Sequence, residues 1–220
     1  PQARWIAITL VALALLGALN MTQVVRALEV PEDDVIEADE VIDDDVFIDG
    51  EHVTIDGTVN GILIVSANTV EVNGTVNGDL IIWGSSAVVN GVVDGNLFFG
   101  GRDLTVNGTI NHSLFCGGSS IVLKPSATVQ RNLVLGGFGL EIEPEASVGR
   151  DVYVAGYQAI ISGDIGQDLN VGTDALLIEG SVERDVFAEI SEPEEEADPS
   201  AWDWIQWPGR PERVISSGLH

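Results

Sequence analysis

Apolar residues recur along most of the chain with a step of 17 residues, and two successive steps are lengthened to 19. One series of such positions comprises Val59, Val76, Val93, Ile110, Val129, Val148, Ile165 and Val182. Three further series with the same step begin at Leu63, Val65 and Val72. Repeats in this range, built from short β segments, are typical of solenoid proteins. The pattern therefore predicts a single repeat domain over residues 42–190.

Each repeat contains two short segments with apolar residues at alternate positions, such as Leu63-Ile64-Val65 and Val70-Glu71-Val72. Alternation is the period of a strand with one buried face. Asn-Gly pairs such as Asn73-Gly74 stand between the segments, and both residue types tolerate the positive φ of sharp corners. Because every series runs in the same direction, we expect a parallel β-helix of about eight to nine coils, about 40 Å long.

The unequal steps favour the right-handed form of this fold, because left-handed β-helices of the hexapeptide type keep a strict hexapeptide spacing. The two longer coils carry their extra residues at one corner, in Lys124-Pro125-Ser126 and Glu143-Pro144-Glu145. The predicted fold class is thus all-β, a right-handed parallel β-helix.

An uncharged apolar run from Trp5 to Val25 precedes the repeats, between Arg4 and Arg26. Its length suits a helix that crosses a bilayer. We expect residues 1–28 to form an uncleaved, single-pass membrane anchor with transmembrane helix, followed by an acidic linker over 29–41. A signal peptide and a buried helix of the domain are the alternatives. Signal-anchor logic leaves the N-terminus inside and carries the repeat domain to the extracytoplasmic side.

The C-terminal segment, residues 191–220, is predicted to be an acidic tail rich in tryptophan. Trp202, Trp204 and Trp207 lie within six positions. Tryptophan is favoured at membrane interfaces and at protein contacts, where one edge of the ring is apolar and the other wet. Three roles stay open for this tail: a cap on the last coil, a membrane-interface contact and a contact with a partner.

The net charge is −26, and the acids concentrate at the two ends of the repeat domain. Thirteen of the 35 acids lie within residues 29–56 and nine within 183–203. Binding to nucleic acid requires a cationic surface, so this charge excludes it. No glycine-rich phosphate loop follows a strand and opens a helix, so we expect no nucleotide and no other cofactor.

A column of polar residues precedes the leucine strand of most coils, and we call it the Asp/Asn column. Its members are Asp45, Asp79, Asn96, Ser113, Asn132, Asp151, Asp168 and Asp185. Arg131, Arg150 and Arg184 stand one place earlier in three coils. We expect the column to cap corner N–H groups. Asp151, Asp168 and Asp185 are weak candidates for cation binding or acid–base catalysis.

Other reactive side chains are isolated in the sequence. His52, His112 and His220 lie far apart and no Ser or Cys elbow accompanies them, so no catalytic residues are predicted. Cys116 occupies a core position of the repeat, and we expect a buried, unreactive thiol.

An outward-facing position of each coil is unusually apolar, and we call this series the apolar stripe. It comprises Phe47, Ile64, Ile81, Phe98, Phe115, Val134, Tyr153, Asn170 and Phe187. Continuous apolar surface usually marks an interface, so we expect a second subunit or a partner to pack on the stripe. Coverage by the chain's own N- or C-terminal segment is the alternative.

The corner sequences of the repeat resemble those of the bactofilins, bacterial cytoskeletal proteins that form polymers. The resemblance rests on Gly74-Thr75-Val76-Asn77-Gly78-Asp79-Leu80 and its repeats at 91–97 and 163–169, and it covers about residues 41–190. It implies a right-handed β-helix that assembles end to end into filaments without a nucleotide, associates with membranes and helps to localise cell-envelope machinery. It also implies assembly contacts through apolar residues of the terminal coils: Val46, Phe47 and Ile48 at one end, and Val186, Phe187 and Ala188 at the other.

Together these features predict a non-catalytic scaffolding protein of the bacterial cell membrane that self-associates or organises other membrane or envelope proteins. Two alternatives stay open. One is an accessory subunit of a larger membrane complex, in which the rod is a rigid spacer. The other is an envelope polysaccharide-binding or polysaccharide-cleaving β-helix, which would bind Ca²⁺ or glycan along the Asp/Asn column.

Overall fold

The computed structural model describes residues 34–191 and 218–219. In these residues the chain forms an all-β parallel solenoid of about nine turns, with no helix. The repeat fold predicted from the sequence is thereby confirmed.

Each turn consists of one long strand, bent near its middle, and one short strand. The long strands, some of them divided at the bend, form a sheet of 13 strands: β1 (Val35–Ile36), β3 (Val46–Ile55), β5 (Leu63–Val72), β7 (Leu80–Val89), β9 (Leu97–Val106), β11 (Leu114–Leu123), β13 (Leu133–Ile142), β15 (Val152–Ala155), β16 (Gln158–Ile161), β18 (Leu169–Thr173), β19 (Ala175–Ile178), β21 (Val186–Ile190) and β22 (Gly218–Leu219). The short strands form a second sheet of nine: β2 (Val41–Ile42), β4 (Thr58–Val59), β6 (Thr75–Val76), β8 (Val92–Val93), β10 (Thr109–Ile110), β12 (Thr128–Val129), β14 (Ser147–Val148), β17 (Asp164–Ile165) and β20 (Ser181–Val182).

Equivalent positions of successive repeats are direct partners in these sheets. Leu63 pairs with Leu80, which pairs with Leu97, and Val59 pairs with Val76 in the second sheet. A shift of one residue would turn every apolar side chain of a strand to the opposite face, so burial of one face enforces this register.

The two lengthened coils keep the register because their extra residues form turns outside the strands. Ala127 N–H donates to the Lys124 carbonyl, and Ala146 N–H donates to the Glu143 carbonyl. The Lys124 ammonium lies 2.6 Å from a Glu143 carboxylate oxygen, so the two turns are stacked and paired. Val129 still pairs with Val148 across them.

The interior is a continuous column of aliphatic side chains. Leu63, Leu80, Leu97, Leu114 and Leu133 are fully buried, as are the inward residues of the seven short strands from β4 to β17. Burial of one such leucine contributes about 1.5–3 kcal/mol to folding. The side chains of each coil pack on those of the next and form one continuous core.

The corner glycines differ from the sequence-based expectation. None of the glycines in residues 34–191 has a φ in the left-handed region. A Cβ at Gly91 would instead overlap the carbonyl oxygen of Gly74 in the preceding coil. Glycine is required there because stacked corners approach closely, and not because the backbone needs a positive φ.

The described strands extend beyond the predicted domain boundaries. Val35–Ile36 pairs with Thr54 and Ile55, within the segment that we expected to be a linker. Gly218–Leu219 pairs with Ala175 and Leu176, within the predicted tail. The solenoid therefore includes residues from both flanking segments.

Candidate functional site

The candidate site is one face of the solenoid, built by the first halves of the nine long strands from β3 to β21. We call it the first face. Its outward positions form two parallel columns, because each residue pairs with its equivalent in the next coil. One column is the apolar stripe. The other, here called the small-residue column, comprises Asp49, Ser66, Trp83, Gly100, Gly117, Gly136, Ala155, Gly172 and Glu189.

The centre of the apolar stripe is a pair of stacked aromatic rings. The centroids of Phe98 and Phe115 lie 5.1 Å apart, with an interplanar angle of 9°. Each side chain is 37% exposed although it stands in the middle of the sheet. The two rings cover each other's faces and present their edges outward, which suits contact with another apolar surface.

Trp83 is the most prominent side chain of the first face, and it is 63% exposed. Its ring lies over the backbone of Gly100 in the next coil, where a Cβ would collide with ring carbons Cζ3 and Cε3. Beyond it the floor is bare: a Cβ at Gly136 would meet no atom within 4 Å. A raised indole is thus followed by an open trough along the small-residue column.

Neither Trp83 nor the trough was identified from the sequence as part of the interface. The sequence does contain a signal for the trough. Two residues after the stripe position, five successive coils carry a very small residue: Gly100, Gly117, Gly136, Ala155 and Gly172. From the sequence, glycine was expected only at the corners, in the Asn-Gly pairs. The strand pairing shows that these small residues lie in the sheet, directly beside the stripe.

The first face carries no ionisable group with a full charge at neutral pH between Ile64 and Gly172 in either column. Asp49 and Glu189 close the two ends of the small-residue column. The neutral surface therefore spans seven coils of a chain whose net charge is −26.

The two ends of the stripe differ in exposure. Val46 and Ile48 are buried, so of the three predicted end contacts in β3 only Phe47 reaches the surface. At the other end Val186 is 45% and Phe187 59% exposed. An open groove of about 760 Å³, lined by Val134, Tyr153, Asn170, Phe187 and their neighbours, leads to this end.

The Asp/Asn column supports the backbone. Asp79 Oδ1 accepts the N–H of Asn96 at 2.7 Å, and Asn96 Oδ1 accepts that of Ser113 at 3.2 Å. The same bond joins Asp151 to Asp168 and Asp168 to Asp185, at 3.2 and 3.1 Å. Each side chain thus replaces a backbone acceptor for the coil that follows, which is the capping role expected from the sequence.

The cation-binding candidates have partners of this kind. Asp168 also lies 3.3 Å from the Arg184 guanidinium. Within residues 34–191 there is no group of three or more His, Cys, Asp or Glu side chains placed to hold a metal ion. Asp151, Asp168 and Asp185 therefore form a hydrogen-bonded column whose geometry does not converge on one point.

The remaining reactive residues do not form a site among the described coils. Cys116 lies in the core, and burial raises the pKa of its thiol far above the ordinary value, so the unreactive thiol form is strongly favoured. His52 is exposed and stands 3.9 Å from a Glu51 oxygen. His112 is isolated on a corner, and His220 lies outside the described residues.

Two predicted membrane or partner elements fall outside the described residues, namely the anchor at 1–28 and the tail residues Trp202, Trp204 and Trp207. Among the residues that the structure describes, no helix has the length and apolar character to cross a bilayer.

Comparison with known proteins gave no match to a protein-family model, to a curated protein or to a solved structure.

Proposed function

We propose that the chain is a membrane-anchored scaffolding protein of the bactofilin type, which acts by assembly and has no catalytic role. The observation that carries the proposal is the uncharged, aromatic first face on a rigid stack of parallel coils. Contiguous exposed apolar surface on a soluble domain marks an interaction site. Because each coil of a solenoid packs directly on the next, this surface continues without interruption over seven coils.

The proposal includes a right-handed coil, an N-terminal span over residues 5–25 and an extracytoplasmic position for the rod in a bacterial cell membrane. The uncharged apolar run supports the span, and the repeat steps of 17 and 19 residues support the handedness. The resemblance to bactofilins supports assembly with other copies or with envelope proteins.

The geometry of the Asp/Asn column favours a structural role over the polysaccharide alternative. Its oxygens accept backbone N–H groups from the following coil, so they are already engaged in holding the corners. A glycosidase would instead need two carboxyl groups facing one substrate, roughly 5–10 Å apart and free to bind it.

A sedimentation assay on the full chain in detergent tests the proposal. We expect the wild-type protein to sediment as assemblies in millimolar Mg²⁺, because the divalent cation screens the acidic ends. Phe98→Ser combined with Phe115→Ser should reduce the sedimented fraction, whereas Val122→Ser, an outward position on the second half of β11, should not. Sedimentation that is the same for all three proteins, or absent from the wild type, would contradict assembly through the first face.

A further inference from the structure

The first face has a self-complementary shape. Trp83 projects from the third of the nine long strands, β7, and covers Gly100 in the fourth. The bare floor of Gly117 and Gly136 lies in the fifth and sixth strands. The stacked Phe98 and Phe115 occupy the fourth and fifth strands, between the strand that carries Trp83 and the strand of Gly136.

We infer that the partner of the first face is a second copy of this chain, packed face to face and antiparallel about a two-fold axis between Phe98 and Phe115. This inference rests on the proposed function and specifies the contact. A two-fold axis along the strand direction sets each column against the same column of the second copy, with the order of coils reversed. Trp83 and Gly100 then face Gly136 and Gly117 of the other copy, so each indole enters the open trough opposite.

The size of the face is sufficient for such a contact. Eight coils overlap in this arrangement, which gives a length of about 38 Å at about 4.8 Å per strand. Five residues across each strand give a width of about 16 Å at about 3.3 Å per residue. The contact would bury about 600 Å² on each copy, or about 1,200 Å² in total, which is the lower bound for a specific protein–protein interface.

Charge also favours this partner and this orientation. Two chains of net charge −26 repel each other, and the two columns of the first face set no acid of one copy against an acid of the other. Along the edge of the face, the antiparallel order sets Asp79 against Asn132 and Asp151 against Ile62. Asp45 and Asp168 are opposed there at the outermost overlapping coils, where the Arg184 guanidinium lies 3.3 Å from Asp168. A two-fold axis parallel to the rod would instead bring Trp83 towards the Asp79 edge, where an apolar ring would meet a carboxylate.

Cross-linking of the full chain in detergent with a bis-maleimide, whose spacer matches the distance of about 10 Å between facing sheets, tests the orientation. Ser66 lies in the second long strand and Ala155 in the seventh, so the antiparallel pair sets them against each other in two symmetric contacts. Within one chain they are separated by five strands, about 24 Å, which is beyond the reach of a spacer of about 10 Å. Ser66→Cys combined with Ala155→Cys should therefore give a covalent dimer on a denaturing gel after treatment with the bis-maleimide. The buried Cys116 provides no competing thiol.

Single-cysteine variants and one blocking variant complete the test. Neither Ser66→Cys nor Ala155→Cys alone should form the dimer. In the double-cysteine background, Gly136→Leu fills the trough and should lower the cross-linked fraction roughly tenfold, the effect of losing about 1.4 kcal/mol of contact energy. Thr105→Leu, at an outward position on the second half of β9, is the matched control and should leave it unchanged.

The outcomes separate this inference from the proposed function. Cross-linking by Ser66→Cys alone, or no cross-linking by the double variant, would overturn the antiparallel pair. If the uncross-linked double variant still sediments as assemblies, the inference fails and the scaffolding proposal stands. If cross-linking occurs only in the double variant and is lowered by Gly136→Leu but not by Thr105→Leu, the inference is supported.

Discussion

Gly91 and Gly136 show how differently two glycines of one solenoid are constrained. A Cβ at Gly91 would overlap the backbone carbonyl oxygen of Gly74, and backbone cannot rotate away as a side chain can. A Cβ at Gly136 would point into open space. The first position has a strict steric requirement and the second has none, although both are simply glycine in the sequence.

Gly91→Ala is expected to destabilise the protein by about 3 kcal/mol, because the stacked corners must move apart to admit the methyl group. For a chain of this size that corresponds to a decrease in melting temperature of about 6–12 °C. Gly136→Ala is the matched control and should leave the melting temperature unchanged or slightly higher, because it lowers the entropy of the unfolded chain. Thermal unfolding followed by circular dichroism measures both. Equal decreases for the two variants would show that close stacking is not the reason for Gly91.

At the scale of one element, the Asp/Asn column forms a line of side-chain acceptors down one corner of the rod. Asp79 Oδ1 receives both the backbone N–H and the side-chain amide of Asn96, at 2.7 and 3.1 Å. The column has one gap, at Ile62. The Ile62 N–H donates to Asp45 Oδ1 at 2.7 Å, but the Ile62 side chain offers no acceptor to the next coil. The corners therefore depend on hydrogen-bond acceptance more than on charge.

Asp79→Ala should destabilise the protein by about 1–3 kcal/mol, because it leaves the half-buried N–H of Asn96 without its acceptor. Asp79→Asn retains an acceptor oxygen and removes only the charge, so we expect a smaller loss. Urea unfolding of the two variants distinguishes the roles. A loss for Asp79→Asn as large as that for Asp79→Ala would show that the carboxylate charge is essential, as a cation-binding column would require.

Most of the solenoid could be predicted from the sequence, because the residues that fill its interior recur at a regular spacing along the chain. The series through Leu63 and Leu80 specified both the strands and their parallel partners, since only one register buries them all. The beginning at Val35 was missed because it precedes the first full repeat and pairs only with the end of β3. The role of the corner glycines was also missed, because spacing along the chain does not reveal how closely two coils approach.

The candidate site was predicted only in part. The apolar stripe followed from alternation, and its stacked phenylalanines lie where that pattern placed them. Trp83 and the trough were not recognised, because a glycine in a strand and a glycine in a corner look alike in one sequence. Trp83 and the glycines form one surface only because they lie side by side in neighbouring strands, and this alignment is known only once the strands are paired.

For the whole molecule, two features act in opposite directions. The acids at both ends of the repeat domain repel other copies, whereas the neutral first face and the exposed Val186 and Phe187 favour contact. At physiological ionic strength charges separated by more than about 8 Å are largely screened, so salt and divalent cations should decide the balance. Assembly is therefore expected to depend on cations although no metal ion need be bound at a defined site.

Electron microscopy of the full chain purified in detergent, with and without millimolar Mg²⁺, tests the central claim most directly. The scaffolding account predicts elongated or laterally paired assemblies in Mg²⁺, with a longitudinal repeat near the length of one rod, about 40 Å for nine coils spaced by about 4.8 Å. Discrete single particles in both conditions would contradict assembly and would favour an accessory subunit of a larger membrane complex.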